Sequence, residues 1–406
     1  MDESRVAFAM QYQAFTDLSR SSDSNDRGHA AHLAALAYLD HNGPADEHAA
    51  LYAALIGFLD DSSVKVRAAL AYGLLHSCDA PRPVILALLN DSPVISRTIM
   101  QYSPVLVDAD LLPMARSGDN SALLAIAQRT ALSARIVAAL VARENRDITL
   151  RLLRRSDAPF SADLLERLAA QHGRDAELRG GLLGRRDLPP SARLSLVRCV
   201  TESLRDCRLV RGSLAKDRLE RVLRDGNDVA ASSIGEARSG DARFIGQLVE
   251  TNQLSTRLLL HALVTGRVMF FSACLAALGQ VSAEKVFVLL ESNSCAALNA
   301  LFLRCGIEPV IARLFVRMVM HARSVDLSDD PAARHYIVTA LTEELLAEYE
   351  GDIPPELEEA FTYLSEQNVV LARQAARGVM HAFAQNHNGA VRLPLSAEPA
   401  LQLPAA

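Results

Sequence analysis

The sequence contains no tryptophan, and aromatic residues make up only 5% of its 406 residues. Runs of alternating Val, Ile and Thr are scarce, which argues against a protein built on β-strands. Cys-x-x-Cys, His-Glu-x-x-His and Gly-x-Ser-x-Gly motifs are absent, and the one glycine-rich run, residues 180–184, lacks the preceding strand that a phosphate loop requires. We therefore expect no cofactor, no bound metal and no catalytic activity.

Long apolar runs are also lacking. The longest, Val268–Leu278, is too short to cross a bilayer, and no signal-peptide pattern opens the sequence. The six cysteines form no close pair, and several lie in apolar helical segments, as free thiols in a reducing compartment do. These features predict a cytoplasmic protein without a membrane segment.

Charge of one sign dominates two segments, although the net charge is only −6. Residues 129–224 contain 21 basic and 12 acidic residues, whereas residues 325–370 contain 12 acidic residues and one basic residue. Lysine is rare, and arginine outnumbers it by 39 to 3. The overall charge therefore favours neither nucleic acid nor an anionic membrane, but the basic segment is a candidate for binding anionic groups.

What the sequence does contain is a recurring helix pair. Residues 51–74 read LYAALIGFLDDSSVKVRAALAYGL, and the stretch VILALLNDSPVISRTIMQYS repeats the plan. In both, a turn aspartate precedes an arginine by six residues, as Asp61 and Arg67 and then Asp91 and Arg97. Because a helix pair of this size cannot bury its apolar face alone, the repetition predicts an all-α, stacked solenoid.

The repeat has a period of about 28 residues. Turn carboxylates recur at Asp61, Asp91, Asp119, Asp147 and Asp175, and good N-cap residues recur at Asp108, Ser133, Ser161 and Ser191. This pattern predicts helices at 49–59, 63–76, 82–89, 93–102, 110–116, 120–129, 134–142, 146–154, 162–171 and 175–184. Beyond it the period fades, and separate helices are predicted at 214–224 and 228–237.

The chain is therefore expected to have five parts. They are N-terminal helices that cap the solenoid (1–48), the repeats (49–190), a second, irregular helical region (191–324), acidic C-terminal helices (325–390) and a disordered tail (391–406).

The segment FLDDSSVKVRAALAYGLL resembles a HEAT repeat, including the Asp–Arg spacing that forms a polar ladder in that family. The run from YSPVLVDADLL to LLERLAAQ, and the later RVMFFSACLAALGQVSAEKVFVLL, resemble a bacterial family of HEAT-like helical proteins that is catalogued as a domain of unknown function. The resemblance covers about residues 50–320. It implies a helical-repeat fold and a cytoplasmic location, and it implies no catalytic residue. Ala125 and Leu153 stand where the ladder would need arginine, so the ladder is expected to stop after the second repeat.

The basic segment supplies the candidate site. Six arginines on or after the second helices of two pairs are predicted to form a cationic belt: Arg151, Arg154, Arg155, Arg179, Arg185 and Arg186. Arginine suits bidentate binding of carboxylates. Three interpretations remain open, namely a solvated face, a surface for an acidic protein partner, and a surface covered by the acidic segment 325–370 of the same chain. Asp61, Arg67, Asp91 and Arg97 are assigned to a structural ladder instead.

The function that these features favour is a non-catalytic scaffold, adaptor or regulator that binds a protein partner through the solenoid surface. The alternative is a nucleic-acid-binding HEAT-like protein, similar in architecture to helical-repeat DNA glycosylases. Phe160 is the one aromatic residue between Arg129 and Arg224, which weakens that alternative. A homodimer through the apolar segment Val268–Leu290 is a further interpretation, although burial of that segment in the core is favoured over exposure.

Overall fold

The structure is a computed structural model that describes residue 13, residues 16–323 and residues 331–386. Its described residues form α-helices joined by short turns, with no strand among them. The predicted disordered tail, residues 391–406, lies outside the described residues. The chain divides into two compact units, Met1–Cys199 and Val200–Ala406.

The helices of the first unit are α1 (Ser24–Asp40), α2 (Ala45–Leu59), α3 (Val64–Leu74), α4 (Arg82–Leu89), α5 (Pro93–Tyr102), α6 (Asp108–Ser117), α7 (Asn120–Ala127), α8 (Ala134–Val141), α9 (Arg146–Arg154), α10 (Ala162–His172) and α11 (Ala176–Leu183). Helix α12 (Pro190–Asp206) begins in the first unit and ends in the second. All ten helices predicted between residues 49 and 184 are present, with ends within four residues of the prediction. The all-α class is therefore confirmed.

In the first unit each helix pair packs on the next. Helices α1, α3, α5, α7, α9 and α11 contact one another in that order, and we call them the second-helix row. On the other side, α2 packs on α4 and α6 packs on α8. One apolar core runs between the helices and includes Leu55, Leu70, Ile85, Ile99 and Leu152, all essentially inaccessible to solvent. Burial of this shared core is what a single pair cannot achieve.

Two of the four predicted N-caps are correct. The hydroxyls of Ser133 and Ser161 accept hydrogen bonds from backbone amides in the first turns of α8 and α10. Asp108 instead begins α6, and its carboxylate accepts a hydrogen bond from Ser133. Ser191 lies inside α12 and donates to Glu166. In both of these cases the polar side chain joins two neighbouring pairs rather than capping its own helix.

The helices of the second unit are α13 (Arg208–Ser213), α14 (Lys216–Ala237), α15 (Ala242–Glu250), α16 (Thr256–Val264), α17 (Val268–Gly279), α18 (Ala283–Glu291), α19 (Cys295–Arg304), α20 (Pro309–Ala322), α21 (Pro331–Glu348) and α22 (Pro355–Asn386). The predicted break between residues 224 and 228 is wrong, because α14 continues through Gly226. Aspartates on both sides of that glycine, Asp225 and Asp228, bind Arg257 of α16. This contact across helices outweighs the weak local helix preference.

Helix α17 is the centre of the second unit and contacts α14, α15, α16, α18 and α19. Its Phe271 packs with Phe302 and Phe315 at ring-centroid distances of 6.4 and 6.1 Å. Its Phe270 lies so close to α14 that a Cβ atom on Gly235 would be 2.1 Å from the phenylalanine ring. The packing of α14 on α17 therefore requires glycine at that position.

Two glycines of α14 test this requirement. We expect Gly235→Ala to destabilise the protein by about 1–3 kcal/mol, because the fully buried Phe270 cannot move aside without disturbing the core. Gly226→Ala in the same helix should instead stabilise it by up to about 1 kcal/mol, since nothing lies within 4 Å of the added methyl group. Urea unfolding of both variants measures the difference. Changes of the same sign and size would contradict the close-packing argument.

Candidate functional site

The six arginines of the predicted belt separate into two sets. Three of them are exposed and make no hydrogen bond or ion pair within the described residues, namely Arg151, Arg154 and Arg186. The other three, Arg155, Arg179 and Arg185, are partly or fully buried and donate hydrogen bonds to backbone carbonyl groups. The six side chains therefore do not form one continuous cationic surface.

Arginines that follow a second helix reach back to the preceding pair. Arg129, Arg155 and Arg185 each occupy this position, and we call them the capping arginines. Arg129 donates to the carbonyls of Met100 and Ser103, the latter at 2.9 Å. Arg155 donates to the carbonyls of Ala127 at 2.8 Å and Thr130 at 3.3 Å. Arg185 donates to the carbonyls of Arg155 and Ala158, both at 2.9 Å. Four of these carbonyls lie at a helix C-terminus, where the last carbonyls have no partner within the helix and carry its negative dipole end, so a guanidinium stabilises them. The carbonyls of Thr130 and Ala158 lie in the turns that follow.

Two of the capping arginines carry their own counter-ion. Arg155 binds Asp157 at 3.0 and 2.5 Å, and Arg185 binds Asp187 at 2.8 and 2.7 Å. Each guanidinium lowers the pKa of its aspartate by hydrogen bonding to the carboxylate. Arg129 has alanine two positions later, and burial lowers the pKa of its guanidinium. The capping arginines thus differ in whether a carboxylate neutralises them.

A sequence signal for these residues exists but is easily missed. Residues 155–159 and 185–189 share the pattern Arg-x-Asp-x-Pro, 30 residues apart. The spacing corresponds to one helix pair, as a structural motif of the repeat requires. Arg185 also lies over the ring of Phe160, with its guanidinium carbon 4.4 Å from the ring centroid. Phe160 is thereby engaged inside the structure by a cation–π contact.

The Asp–Arg ladder joins different residues from those that the spacing predicts. The carboxylate of Asp61 accepts hydrogen bonds from Arg27 at 2.7 and 3.1 Å, and that of Asp91 accepts from Arg67 at 2.6 and 2.9 Å. Arg67 reaches the residue six positions before it only through the Asp61 carbonyl, at 2.7 Å. Each carboxylate is therefore bound by the arginine of the preceding second helix. These ion pairs lower the pKa values of Asp61 and Asp91.

Arg97 makes the weakest link of this ladder. It is exposed, and the pKa of Asp119 is lowered chiefly by the Ser121 hydroxyl and the Ala122 amide, with a smaller contribution from the charge of Arg97. A strong link reappears further along, where Arg146 of α9 binds Asp175 at 2.7 and 3.2 Å and holds the pKa of that carboxyl at about 2. Asp119 and Asp147 accept no hydrogen bond from an arginine among the described residues, so the ladder is interrupted after the second repeat, as expected, before an Arg–Asp pair forms again at Asp175.

The exposed arginines of α9 lie in an open cleft. Arg151 and Arg154 are three residues apart, so they share one helix face. The cleft has a volume of about 880 Å³, and we call it the arginine cleft. Its charged lining residues are Arg129, Arg151, Arg154, Arg155, Asp147 and Asp157. Two guanidinium groups without a hydrogen-bonded partner among the described residues make this cleft suitable for binding a carboxylate or another small anionic group.

A second polar cluster, which the sequence did not indicate, is buried in the second unit. Arg257 is only 8% exposed and forms ion pairs with Asp225 and with Asp228, the latter at 3.0 Å. Its guanidinium lies 4.8 Å from the ring centroid of Tyr363, whose hydroxyl is 2.8 Å from Nδ1 of His261. The cluster joins α14 and α16 to α22. Because Tyr363 follows His261 by 102 residues, no local pattern reveals the contact.

Burial determines the protonation states in this cluster. Burial and the charges of Arg257 and Arg267 lower the pKa of His261 to about 4, so the imidazole is neutral near pH 7. Burial also raises the pKa of Asp228 and that of Tyr363. The cluster therefore combines one buried cation with two carboxylates and two neutral rings, so removal of one charged partner would leave the other buried and unpaired.

The apolar segment proposed for dimerisation is buried mainly in α17, whereas Val288 of α18 is exposed. Phe270 and Phe271 are fully buried, and Phe287 is half-buried. Burial also raises the pKa of the Cys274 thiol and that of the Cys305 thiol, the latter to about 11. The residues that would form an apolar docking face thus contribute to the core of the second unit.

Within the described ranges, no group of three or more His, Cys, Asp or Glu side chains is placed to hold a metal ion. No single helix in that part of the chain is long and apolar enough to cross a membrane. Helices α17 and α18, which are bent by 115° at the turn between them, reach the required length and apolar composition only as a pair.

The family described as "Uncharacterised protein conserved in bacteria (DUF2336)" matches residues 95–352. The chain belongs to this family. The predicted resemblance to a bacterial domain of unknown function is thereby confirmed, and the match extends from α5 into the C-terminal helices beyond residue 320. No curated protein and no solved structure matches the chain.

Adjacent arginines at the end of α11 test the capping role. We expect Arg185→Ala to destabilise the protein by about 2–4 kcal/mol, because it leaves two buried carbonyls and Asp187 without their partner. Arg186→Ala, on the exposed neighbour, should change the free energy of unfolding by no more than about 0.5 kcal/mol. Thermal and urea unfolding of the two variants measure this. Equal stabilities would show that the carbonyl contacts contribute nothing.

The lowered pKa of His261 gives a pH dependence with a definite sign. Between about pH 6.5 and pH 4 the unfolded chain binds a proton at this histidine and the folded chain does not, so stability falls as pH falls through that window. The contribution is on the order of 2–3 kcal/mol. His261→Gln should flatten the plot of unfolding free energy against pH over this range. Parallel plots for the variant and the wild type would contradict the assignment.

Proposed function

We propose that this protein is a non-catalytic adaptor or regulator of the bacterial cytoplasm that binds a protein partner through the arginine cleft. The helix pairs of the first unit would form a HEAT-like solenoid, and the second-helix row would present the binding surface. Six free cysteines, two of them buried, suit the reducing environment of that compartment.

One observation carries the proposal. Of the four arginines that line the cleft, Arg129 and Arg155 donate to backbone carbonyls, whereas Arg151 and Arg154 are exposed on one helix face and make no hydrogen bond or ion pair within the described residues. Arginine is enriched in the energetically important parts of protein interfaces. An exposed pair in a cleft is consistent with binding of acidic side chains, and such binding should weaken as salt is added.

Protein is favoured over nucleic acid as the ligand by the composition of the cleft. Asp147 and Asp157 line the same cleft as Arg151 and Arg154. A phosphate backbone would bring several negative charges past these carboxylates, and only two uncommitted guanidinium groups are present to offset them. A peptide can instead place a carboxylate on the arginines and a neutral or polar group beside the aspartates.

The test reverses the two free charges and leaves the capping arginines intact. We expect Arg151→Glu/Arg154→Glu to reduce recovery of the partner at least roughly tenfold in affinity purification of the tagged full chain from its native cells. The matched control is Arg167→Glu/Arg174→Glu, which changes the same charge at two exposed arginines outside the cleft.

The proposal is supported if a partner protein co-purifies with the wild type and the control variant but not with the cleft variant. Thermal unfolding must show that both variants are folded. A partner list that is the same for wild type and cleft variant would refute binding through this cleft. Reversal of Arg155 or Arg185 is unsuitable for this purpose, because those residues hold the helix pairs together.

A further inference from the structure

Two exposed tyrosines lie on the same row of helices as the arginine cleft. Tyr72 is 70% exposed and Tyr102 is 47% exposed. Each is in the last turn of its helix, nine or ten residues after the N-cap, and Gln128 and Arg154 occupy the matching place in α7 and α9. The second-helix row therefore places the tyrosines and the cleft in one series of equivalent positions.

Each tyrosine ring has a histidine beside it. The rings of His32 and Tyr72 are 5.6 Å apart, and those of His76 and Tyr102 are 5.5 Å apart in an edge-on arrangement. These contacts link α1, α3 and α5, and we call the four side chains the aromatic strip. Rings that are held by a neighbour while one face stays open lose little conformational entropy when a ligand covers them.

The aromatic strip continues directly into the arginine cleft. Arg129, which lines the cleft, donates to the carbonyls of Met100 and Ser103, which lie two residues before and one residue after Tyr102. Gln128, next in sequence to Arg129, also lines the cleft. The surface thus changes along the row from tyrosine and histidine at α3 and α5 to arginine at α9.

We propose that the aromatic strip and the arginine cleft form one docking surface for an acidic peptide segment of a protein partner. This inference rests on the proposed function and adds the chemistry of the partner. Aliphatic or aromatic side chains of the peptide cover Tyr72 and Tyr102, and its carboxylates bind Arg151 and Arg154. Tyrosine and arginine are the residue types that most often dominate binding energy at interfaces.

The spacing of the row sets the size of the peptide. Packed helices lie about 8–10 Å apart, so the distance from α3 to α9 along the row is about 24–30 Å. An extended chain covers this distance with about eight residues. The peptide therefore has an apolar end and an acidic end, separated by roughly three to five residues.

The test selects peptide ligands directly, so the native partner need not be identified first. A phage library of random peptides of roughly 12 residues, long enough to span the row, is selected on the full-length protein. We expect enriched peptides with acidic residues towards one end and aromatic or aliphatic residues towards the other. Synthetic fluorescein-labelled copies then give dissociation constants by fluorescence anisotropy.

Variants of the protein show which side chains bind the apolar end of the peptide and which bind its acidic end. Tyr72→Ala/Tyr102→Ala and Arg151→Glu/Arg154→Glu should each weaken binding about tenfold or more. Tyr72→Phe/Tyr102→Phe keeps the rings and should retain binding. Tyr336→Ala, at a 68% exposed tyrosine in the second unit, is the control for loss of an exposed ring. Thermal unfolding of each variant shows that the fold is intact.

The remaining outcomes overturn the inference. In the first, the selected peptides contain no acidic residues. In the second, the tyrosine variants bind the peptides with unchanged affinity. In the third, labelled oligothymidylate binds more tightly than any peptide, and its binding depends on the same residues. If the arginine reversal removes a native partner while the tyrosine variants retain it, the proposed adaptor function stands and the extended surface is wrong. If neither set of variants changes capture, both proposals fail.

Discussion

The first unit depends on guanidinium groups that bind carbonyl oxygens of the preceding helix pair. A carbonyl at the end of a helix has no partner inside that helix, and burying it unpaired costs free energy. Arg155 and Arg185 each bind one such carbonyl about one repeat away, at Ala127 and Arg155, and one carbonyl of the turn that follows it, and Arg129 binds the end of α5 in the same way. Since the bonds form only when the neighbouring pair is correctly placed, they fix the register of stacking as well as stabilising it.

The opposite end of the second helices is fixed by carboxylates. Arg67 binds Asp91 of the next turn, and Arg146 binds Asp175 in the same way three pairs later. A second helix is thus joined to its neighbours through ion pairs near its N-terminus, through capping arginines beyond its C-terminus and through the apolar core between them. Many arginines of this protein therefore have structural roles, whereas Arg151 and Arg154 are exposed in the arginine cleft and make no such bond among the described residues.

Helix positions could be predicted from the sequence because they follow from local patterns, such as the apolar period and the caps Ser133 and Ser161. The repeated Arg-x-Asp-x-Pro pattern marks Arg155 as part of a motif, but its contacts across the pairs could not be predicted, since those partners are backbone carbonyls that no residue type reveals. The direction of the ladder was equally hidden, because a six-residue spacing is compatible with Arg67 binding the side chain of either Asp61 or Asp91. Long-range contacts, such as that of His261 with Tyr363, leave no local trace at all.

Arginines that have a structural role differ in how far their positive charge is neutralised, and this matters for the electrostatic potential of the arginine cleft. Arg257 of the second unit is buried against two carboxylates, so its charge is largely neutralised where it lies. Arg129 is buried against carbonyl oxygens, and no carboxylate among the described residues is hydrogen-bonded to it. Carbonyl dipoles stabilise a cation without removing its net charge, and charge in a poorly screened site acts over a longer distance. Because Arg129 also lines the arginine cleft, a residue that holds two helix pairs together adds to the positive charge of the cleft lining.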